Sequence, residues 1–156
     1  MPFVHYTVSV LRSLGYKARS NVLKDQPAFG AAFNNPRLKI QVATLGWGAD
    51  FPATSNFFVP VFTCASFLHG RFGNGNQSEF CNRRIDAEII RARALQTSDP
   101  QAASHLWTKI DRDIVDQAPV VATFNPQLVD LVSSRVGNYQ YSPAVGGALL
   151  DQLWVR

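Results

Sequence analysis

A predicted helix with a well-defined start constrains the fold of this chain more than any other feature. It begins at Asp99, a good N-cap residue, and Pro100 suits the first helical position because an N–H there would have no partner. Apolar residues then recur on one helix face, at Ala103, Leu106, Trp107, Ile110 and Ile114. Ala118-Pro119 stops this pattern. The sequence therefore predicts an amphipathic helix between Asp99 and Ala118.

Two more helices are predicted closer to the N-terminus. One follows Asn82, which can cap a helix, and ends at about Leu95. Its apolar residues are Ile85, Ile89 and Ala92. The other covers residues 4–14 and is followed by Gly15, where a left-handed C-terminal cap would lie. The stretch 24–36 contains Pro and Gly breakers and predicts a loop or at most a short helix.

Strands are predicted where apolar and polar residues alternate. The clearest alternation runs over residues 37–45, with Leu38, Ile40, Val42 and Thr44 on one face. Shorter strands are expected at 16–23, 119–124 and 128–133, and the tail 136–156 is expected to be a loop with a final strand at 153–155. Helices and strands in this order predict an α/β layered fold. The strands are few for such a length, which suggests a fragment of a larger protein.

The composition is that of one ordinary globular unit. The 156 residues are 46% hydrophobic and 17% charged, enough apolar material to bury a core. No apolar run approaches the ~20 residues that span a bilayer. The start, Met1-Pro2-Phe3-Val4-His5, lacks the basic and apolar regions of a secretory signal, so an export signal would have to lie upstream.

The net charge of +4 raises the possibility of a basic interaction module that binds an acidic partner or nucleic acid. The basic residues are scattered, however. Their densest group, Arg83, Arg84, Arg91 and Arg93, alternates with Asp86 and Glu88 on a predicted helix. Such a pattern is typical of a solvated face, so nucleic acid is not expected as a partner and the basic module remains the alternative function.

Two cysteines, Cys64 and Cys81, bracket a stretch rich in Gly and Asn. A cross-link across a flexible loop of this length stabilises a fold by roughly 3 kcal/mol in the chain-entropy model, and we therefore predict a disulfide. Two free thiols in a reducing compartment are the alternative. A zinc site is less favoured, because two Cys and His69 do not make a four-ligand set, and no metal site is predicted.

No catalytic constellation is apparent in the sequence. Cys64 with His69 is the one nucleophile and base pairing worth naming, and a disulfide explains this cysteine more simply. The chain has no nucleophile elbow, phosphate-cradling loop or two-histidine metal motif. We therefore expect a protein that is not an enzyme and needs no cofactor.

A series of short motifs, in a fixed order along nearly the whole chain, carries a resemblance to a known family. The motifs are Leu14-Gly15-Tyr16 at a helix end, Gly46-Trp47-Gly48-Ala49-Asp50-Phe51-Pro52, Phe80-Cys81-Asn82-Arg83-Arg84-Ile85-Asp86, Asp99-Pro100, and Ile114-Val115-Asp116-Gln117-Ala118-Pro119-Val120-Val121. Together they resemble the C-terminal portion of the family 5 extracellular solute-binding proteins of ABC importers, which include oligopeptide-, dipeptide- and nickel-binding members. Asn82-Arg83 departs from the Asn-Pro usual in the family. Family members are also much longer, and a first lobe has no counterpart here.

The resemblance implies part of a type II periplasmic-binding-protein fold, in which two lobes close on a ligand about a hinge. Residues 1–117 would belong to the second lobe, and residues 118–156 would form the hinge crossover and the return segment toward the first. Without that lobe, the apolar strands of the return segment would either pack locally in another way or form an exposed edge prone to aggregation. An extracytoplasmic location, in the periplasm or as a cell-surface lipoprotein, and permease subunits as partners are implied as well.

The resemblance also implies a ligand site around Asp50, where the Asp of the matching Trp-x-x-Asp motif pairs with the α-ammonium group of a peptide. A partly desolvated carboxylate suits a cation, although Asp50 could instead cap the turn before Pro52. Trp47 would stack on the ligand or pack under the turn. Phe51, Asn56 and Phe57 could line the same cleft, but for each a structural role is favoured. A peptide is preferred to nickel as ligand because no His cluster is visible.

Overall fold

The computed structural model of the chain describes residues 2–33, 35–68, 75–125, 127, 129–144 and 146–156. The chain divides into two compact units, of which the first ends at Lys39 and the second covers Ile40–Arg156. The first unit contains helices α1 (Pro2–Ser13) and α2 (Gln26–Phe33) and a 3₁₀ turn at Pro36–Leu38. The described part of the second contains three α-helices and two short antiparallel ladders.

Helix α1 ends in a C-terminal cap built on glycine. Gly15 has a φ of 91°, and its N–H donates to the Arg12 carbonyl at 3.0 Å while the Tyr16 N–H reaches back to the Leu11 carbonyl at 3.0 Å. This pair of bonds is the Schellman motif, which satisfies carbonyls that the helix leaves without partners and favours Gly at the left-handed position. The predicted helix over 4–14 and its cap are confirmed.

Helix α2 is short and begins at an Asp cap. The Asp25 carboxylate accepts from the Ala28 N–H at 2.8 Å, and the rings of Phe29 and Phe33 stack one helical turn apart with centroids at 5.8 Å. The prediction of a loop or short helix over 24–36 is therefore confirmed. The strand predicted at 16–23 is wrong, because these residues form no regular element.

The second unit is organised around helices α3 (Ser55–Phe62), α4 (Arg83–Ser98) and α5 (Pro100–Val115). The Asn82 side chain accepts from the N–H groups of Arg84 and Ile85 at 3.1 and 3.4 Å, and Asp99 accepts from Ala102 at 2.9 Å. Both predicted caps are confirmed. Each supplies an acceptor for N–H groups that have no partner inside the helix.

The core of this unit lies between α4 and α5, which pack against each other more extensively than any other pair of elements in the described chain. Its buried residues are Ile85, Ile89, Ala92, Ala103, Trp107, Ile110 and Ile114. Helix α3 covers one end of this core, where Phe58 stacks on Trp107 with ring centroids 5.4 Å apart. Phe62 meets Phe80 edge to face at 6.2 Å. Aromatic packing thus attaches α3 to the helix pair.

Four charged side chains join α4 to α5 on the surface. Arg84 lies 3.0 Å from Glu88 and 2.8 Å from Asp113, and Lys109 lies 2.9 Å from Glu88 and 2.8 Å from Asp113. Hydrogen bonds from Lys109, and then from Arg84, lower the pKa of Asp113 below its ordinary value. The same contacts raise the pKa values of Arg84 and Lys109. Because the side chains of Arg84 and Lys109 are more than half exposed to solvent, the network contributes little to stability.

Acid is expected to weaken this network through Asp113. A carboxyl whose pKa is lower in the folded state stabilises the fold above its unfolded pKa and loses that contribution as the pH falls through the folded pKa. In thermal unfolding followed by circular dichroism, Asp113→Asn should therefore lose less stability than the parent protein as the pH falls below about 4. Asp111→Asn is the matched control, since Asp111 is exposed on the same helix and belongs to none of the ion pairs in the described part of the chain. An equal acid loss in all three proteins would contradict the prediction.

The C-terminal tail forms two small ladders. Strand β1 (Val136–Gly137) pairs with β4 (Trp154–Val155), and β2 (Tyr141–Ser142) pairs with β3 (Gly147–Ala148), both antiparallel. A Cβ at Gly137 would lie 2.2 Å from the Trp154 ring, so any other residue at this position would require the ring to move. The final strand predicted at 153–155 is confirmed, whereas the other three strands were not predicted.

The remaining predicted strands are wrong for this structure. Pro36–Leu38 is a 3₁₀ turn, and the residues described in 39–45, 119–124 and 129–133 belong to no strand. Their apolar side chains face solvent, with Val121 83% and Leu131 97% exposed. A strand requires a neighbouring strand for its N–H and C=O groups, and these segments have none in the described chain. The described chain is thus a mixture of helices and small sheets, which agrees with the expected α/β class at that coarse level, and the apolar side chains of 119–124 and 129–133 are exposed.

None of the helices that the structure describes is long and apolar enough to cross a membrane. Nor do the described residues bring together three or more side chains of the types that hold a metal ion. His69, considered above as a zinc ligand or a catalytic base, lies outside the described residues.

Candidate functional site

A hydrogen-bonded turn precedes α3 and contains the residues expected to bind a ligand. The Asp50 N–H donates to Oδ1 of Asn56 at 2.9 Å, and Nδ2 of Asn56 donates to Oδ2 of Asp50 at 3.2 Å. The indole Nε1–H of Trp47 donates to the backbone carbonyl of Asn56 at 3.0 Å. Asn56 therefore contacts both residues of the Trp-x-x-Asp motif.

The first turn of α3 places Asn56 under the motif. The Ala53 N–H donates to the Phe51 carbonyl at 2.8 Å, and the Asn56 N–H donates to the Ala53 carbonyl at 2.9 Å. These bonds turn the chain after Pro52 and bring the start of the helix back beneath Asp50. The position also suits a carboxylate, because a helix N-terminus carries partial positive charge.

Burial separates the predicted site residues into two groups. Asn56 is 4% exposed, whereas Trp47 is 40% exposed and Asp50, Phe51 and Phe57 are exposed as well. A carboxylate and aromatic rings therefore face solvent above a buried amide. Such a surface can hold a cation through the carboxylate and apolar groups through the rings.

A cavity of about 470 Å³ lies elsewhere in the second unit, along α5 and one side of α3. Its lining residues are Thr54, Phe58, Gln96, Pro100, Ala103, Ser104, Trp107, Thr108 and Asp111. None of the predicted ligand-binding residues belongs to it. Trp47, Asp50 and Phe51 are exposed to solvent and lie outside this cavity.

The far end of α3 is fixed by a disulfide and a buried asparagine. Cys64 and Cys81 are bonded, which confirms the predicted disulfide and excludes the free thiols and a zinc site on them. The side chain of Asn76, fully buried, donates to the carbonyls of Thr63 at 2.9 Å and Phe80 at 2.7 Å. The Cys64 N–H donates to the Asp86 carboxylate at 3.2 Å. Together these contacts attach the end of α3 to the start of α4.

The sequence did not predict helix α3, it favoured a structural role for Asn56 without identifying its contacts, and it missed the role of Asn76. Both are asparagines in segments with many polar or turn-forming neighbours, where such a residue usually lies on the surface. Nothing in the local sequence marks either as buried. Trp107 was correctly assigned to the core, although its Nε1–H is buried without an acceptor among the described residues.

Comparison with known proteins gives two distant relatives. The chain is 28% identical over 102 residues to the di/tripeptide-binding protein 4 of Pseudomonas aeruginosa (strain UCBPP-PA14), which covers 65% of this chain and 18% of that protein. It is also 28% identical over 103 residues to the dipeptide-binding protein of Escherichia coli (strain K12), covering 66% of this chain and 18% of the relative. No family model matches the chain, and no solved structure shows a significant match.

The chain therefore spans less than a fifth of the relatives that it matches. Both relatives are named as binding proteins, in agreement with the expectation of a protein that is not an enzyme. About two thirds of this chain is thus similar to a limited part of bacterial dipeptide-binding proteins.

Proposed function

We propose that this chain is part of the substrate-binding component of an ABC importer and that the whole component captures a small peptide outside the cytoplasm for uptake. The observation that carries the proposal is the exposed Asp50 carboxylate, held beside Trp47 in a chain similar to dipeptide-binding proteins. The permease subunits of the importer would be its membrane partners.

The chemistry of the turn supports an ammonium group as the part of the ligand that it binds. Oδ2 of Asp50 accepts from Asn56, while Oδ1 has no donor among the described residues. A peptide α-ammonium at Oδ1 would form a charge-assisted hydrogen bond, which is stronger than a neutral one. The exposed rings of Trp47 and Phe51 offer apolar surface for the adjacent side chains of the peptide.

The surface of the chain supports a role as one wall of a two-lobed cleft. We propose that residues 1–117 belong to one lobe and that residues 118–156 form the hinge crossover and return toward the other. The exposed apolar side chains of the return segment, among them Val121 and Leu131, favour pairing with a sheet outside this chain. Closure of the lobes around the peptide would then bring the second wall over Asp50.

The disulfide supports the proposed location. Disulfides persist in oxidising compartments such as the periplasm and the cell surface, and are rare where thiols are kept reduced. The Cys64–Cys81 bond is therefore consistent with a protein that works outside the cytoplasm.

Replacing Asp50 with asparagine tests the function in a protein that contains both lobes. Binding of a dipeptide with a free amine should weaken by about 1.5–3 kcal/mol, because the neutral amide cannot form the charged hydrogen bond. Isothermal titration calorimetry measures this difference directly.

An N-acetylated dipeptide is the matched control ligand, since it has no ammonium group. Its affinity should be nearly the same for the parent protein and for Asp50→Asn. Equal affinity of the two proteins for the free-amine dipeptide would remove Asp50 from the ligand site.

A further inference from the structure

The Asn56 side chain is too well buried and too fully engaged with Asp50 to serve as a ligand contact. Its amide oxygen accepts the Asp50 N–H and its amide nitrogen donates to Oδ2 of the same residue, at 2.9 and 3.2 Å. Only 4% of the residue is exposed. Both ends of one side chain are thus used to hold the backbone and the carboxylate of one exposed residue.

From this geometry we infer that Asn56 is a positioning residue that fixes the orientation of the Asp50 carboxylate and presents Oδ1, not Oδ2, to the ligand. The inference deepens the proposed function, on which its ligand-binding part rests. Orientation matters because a charge-assisted hydrogen bond weakens when its acceptor is free to rotate away from the donor.

The residue type follows from the two bonds. A side chain at this position must accept from an N–H and donate to a carboxylate, and an asparagine amide does both. Aspartate has the same shape and can still accept from the Asp50 N–H, but it cannot donate when ionised and would place a second carboxylate against the first. Leucine has a similar size and can form neither bond.

The contact with Trp47 makes it possible to distinguish the release of Asp50 from general disruption of α3. The Trp47 indole donates to the backbone carbonyl of Asn56, not to its side chain. A substitution at position 56 that leaves α3 intact should therefore release Asp50 and retain the Trp47 contact. The Asp50 N–H then reports on the side chain at position 56, and the Trp47 indole N–H reports on the backbone of α3.

Hydrogen exchange followed by NMR tests the inference in this chain without any ligand. In Asn56→Asp and Asn56→Leu, the helical amides of α3 and the Trp47 indole should exchange as in the parent protein. The amide of Asp50 should exchange faster in Asn56→Leu, about tenfold or more for the loss of one hydrogen bond, and should remain protected in Asn56→Asp. An unchanged Asp50 amide in Asn56→Leu would overturn the inference, and this outcome does not depend on whether the protein binds peptide.

Binding in a two-lobed protein supplies the second readout, the ratio of affinities for free-amine and N-acetylated dipeptides. Positioning predicts that Asn56→Asp and Asn56→Leu reduce this ratio, by about tenfold for the weakened charged bond, without lowering the affinity for the acetylated ligand. The double variant Asp50→Asn with Asn56→Asp swaps the two residue types, so that the carboxylate lies at the buried position, and its affinity ratio should stay low. If the swap restored the affinity ratio, position 56 would contact the ligand and the inference would be overturned. A parent protein with no preference for the free amine would instead overturn the proposed function. The positioning role of Asn56 would then be decided by the hydrogen-exchange experiment.

Discussion

Replacing Ile110 with alanine is expected to lower the free energy of unfolding of the second unit by about 2–5 kcal/mol. Ile110 is fully buried between α4 and α5, where its side chain is part of a core of seven residues. Removing its outer carbons loses their burial and leaves a cavity that the two helices cannot fill completely. Because a domain of this size is stabilised by only about 5–15 kcal/mol, the loss is a large fraction of the total.

Urea unfolding followed by circular dichroism measures the effect, and Ile90→Ala is the matched control. Ile90 lies on α4, within the same helix pair, but is 67% exposed. Its replacement should change the free energy of unfolding by no more than about 0.5 kcal/mol. Similar losses in the two variants would show that the interface between α4 and α5 is not the core of this unit.

Loss of the disulfide is expected to have the second largest effect. The bond joins residues 17 positions apart, and replacing both cysteines by serine should lower the free energy of unfolding by about 3 kcal/mol. The cost arises mainly in the unfolded state, where the intervening loop gains freedom once the link is absent. The end of α3 would then be attached to the start of α4 by the noncovalent contacts that remain, those of Asn76 and the hydrogen bond from the N–H of residue 64 to Asp86.

Chemical unfolding in the presence and absence of a reducing agent provides the measurement. Reductant should destabilise the parent protein to the level of the double serine variant and should leave that variant unchanged. If the parent protein were insensitive to reductant under conditions that reduce the bond, the proposed contribution of the disulfide would be wrong. The same experiment reports on the site, since Asn56 lies in the first turn of the helix that the disulfide fixes.

Helices α1, α4 and α5 were predictable because their signals are local, whereas α3 was not predicted. Asn82 and Asp99 accept from N–H groups two or three residues ahead, and Gly15 ends α1 through bonds to the preceding turn. The apolar face of α5 also required nothing beyond the spacing of its own residues. The predicted disulfide was correct for a similar reason, because a Gly- and Asn-rich loop between two cysteines favours a cross-link.

The strands were not predictable in the same way. Alternation in 37–45 and in the segments after Pro119 describes a surface suited to a sheet, but a strand forms only when a second strand satisfies its backbone groups. The described chain supplies such partners only to the short strands of the tail, as in the pairing of Gly137 with Trp154. Composition and pattern contain no information on a partner that lies elsewhere.

The sequence by itself determined α1, α4 and α5, their caps, the disulfide and the Trp47–Asp50 motif, because each depends on residues in one short stretch of the chain. Only the tertiary structure decided that Asn56 lies beneath Asp50 and that the described residues of the alternating segments belong to no strand. Burial and strand pairing depend on which distant residues the fold brings into contact, and local sequence does not specify these contacts.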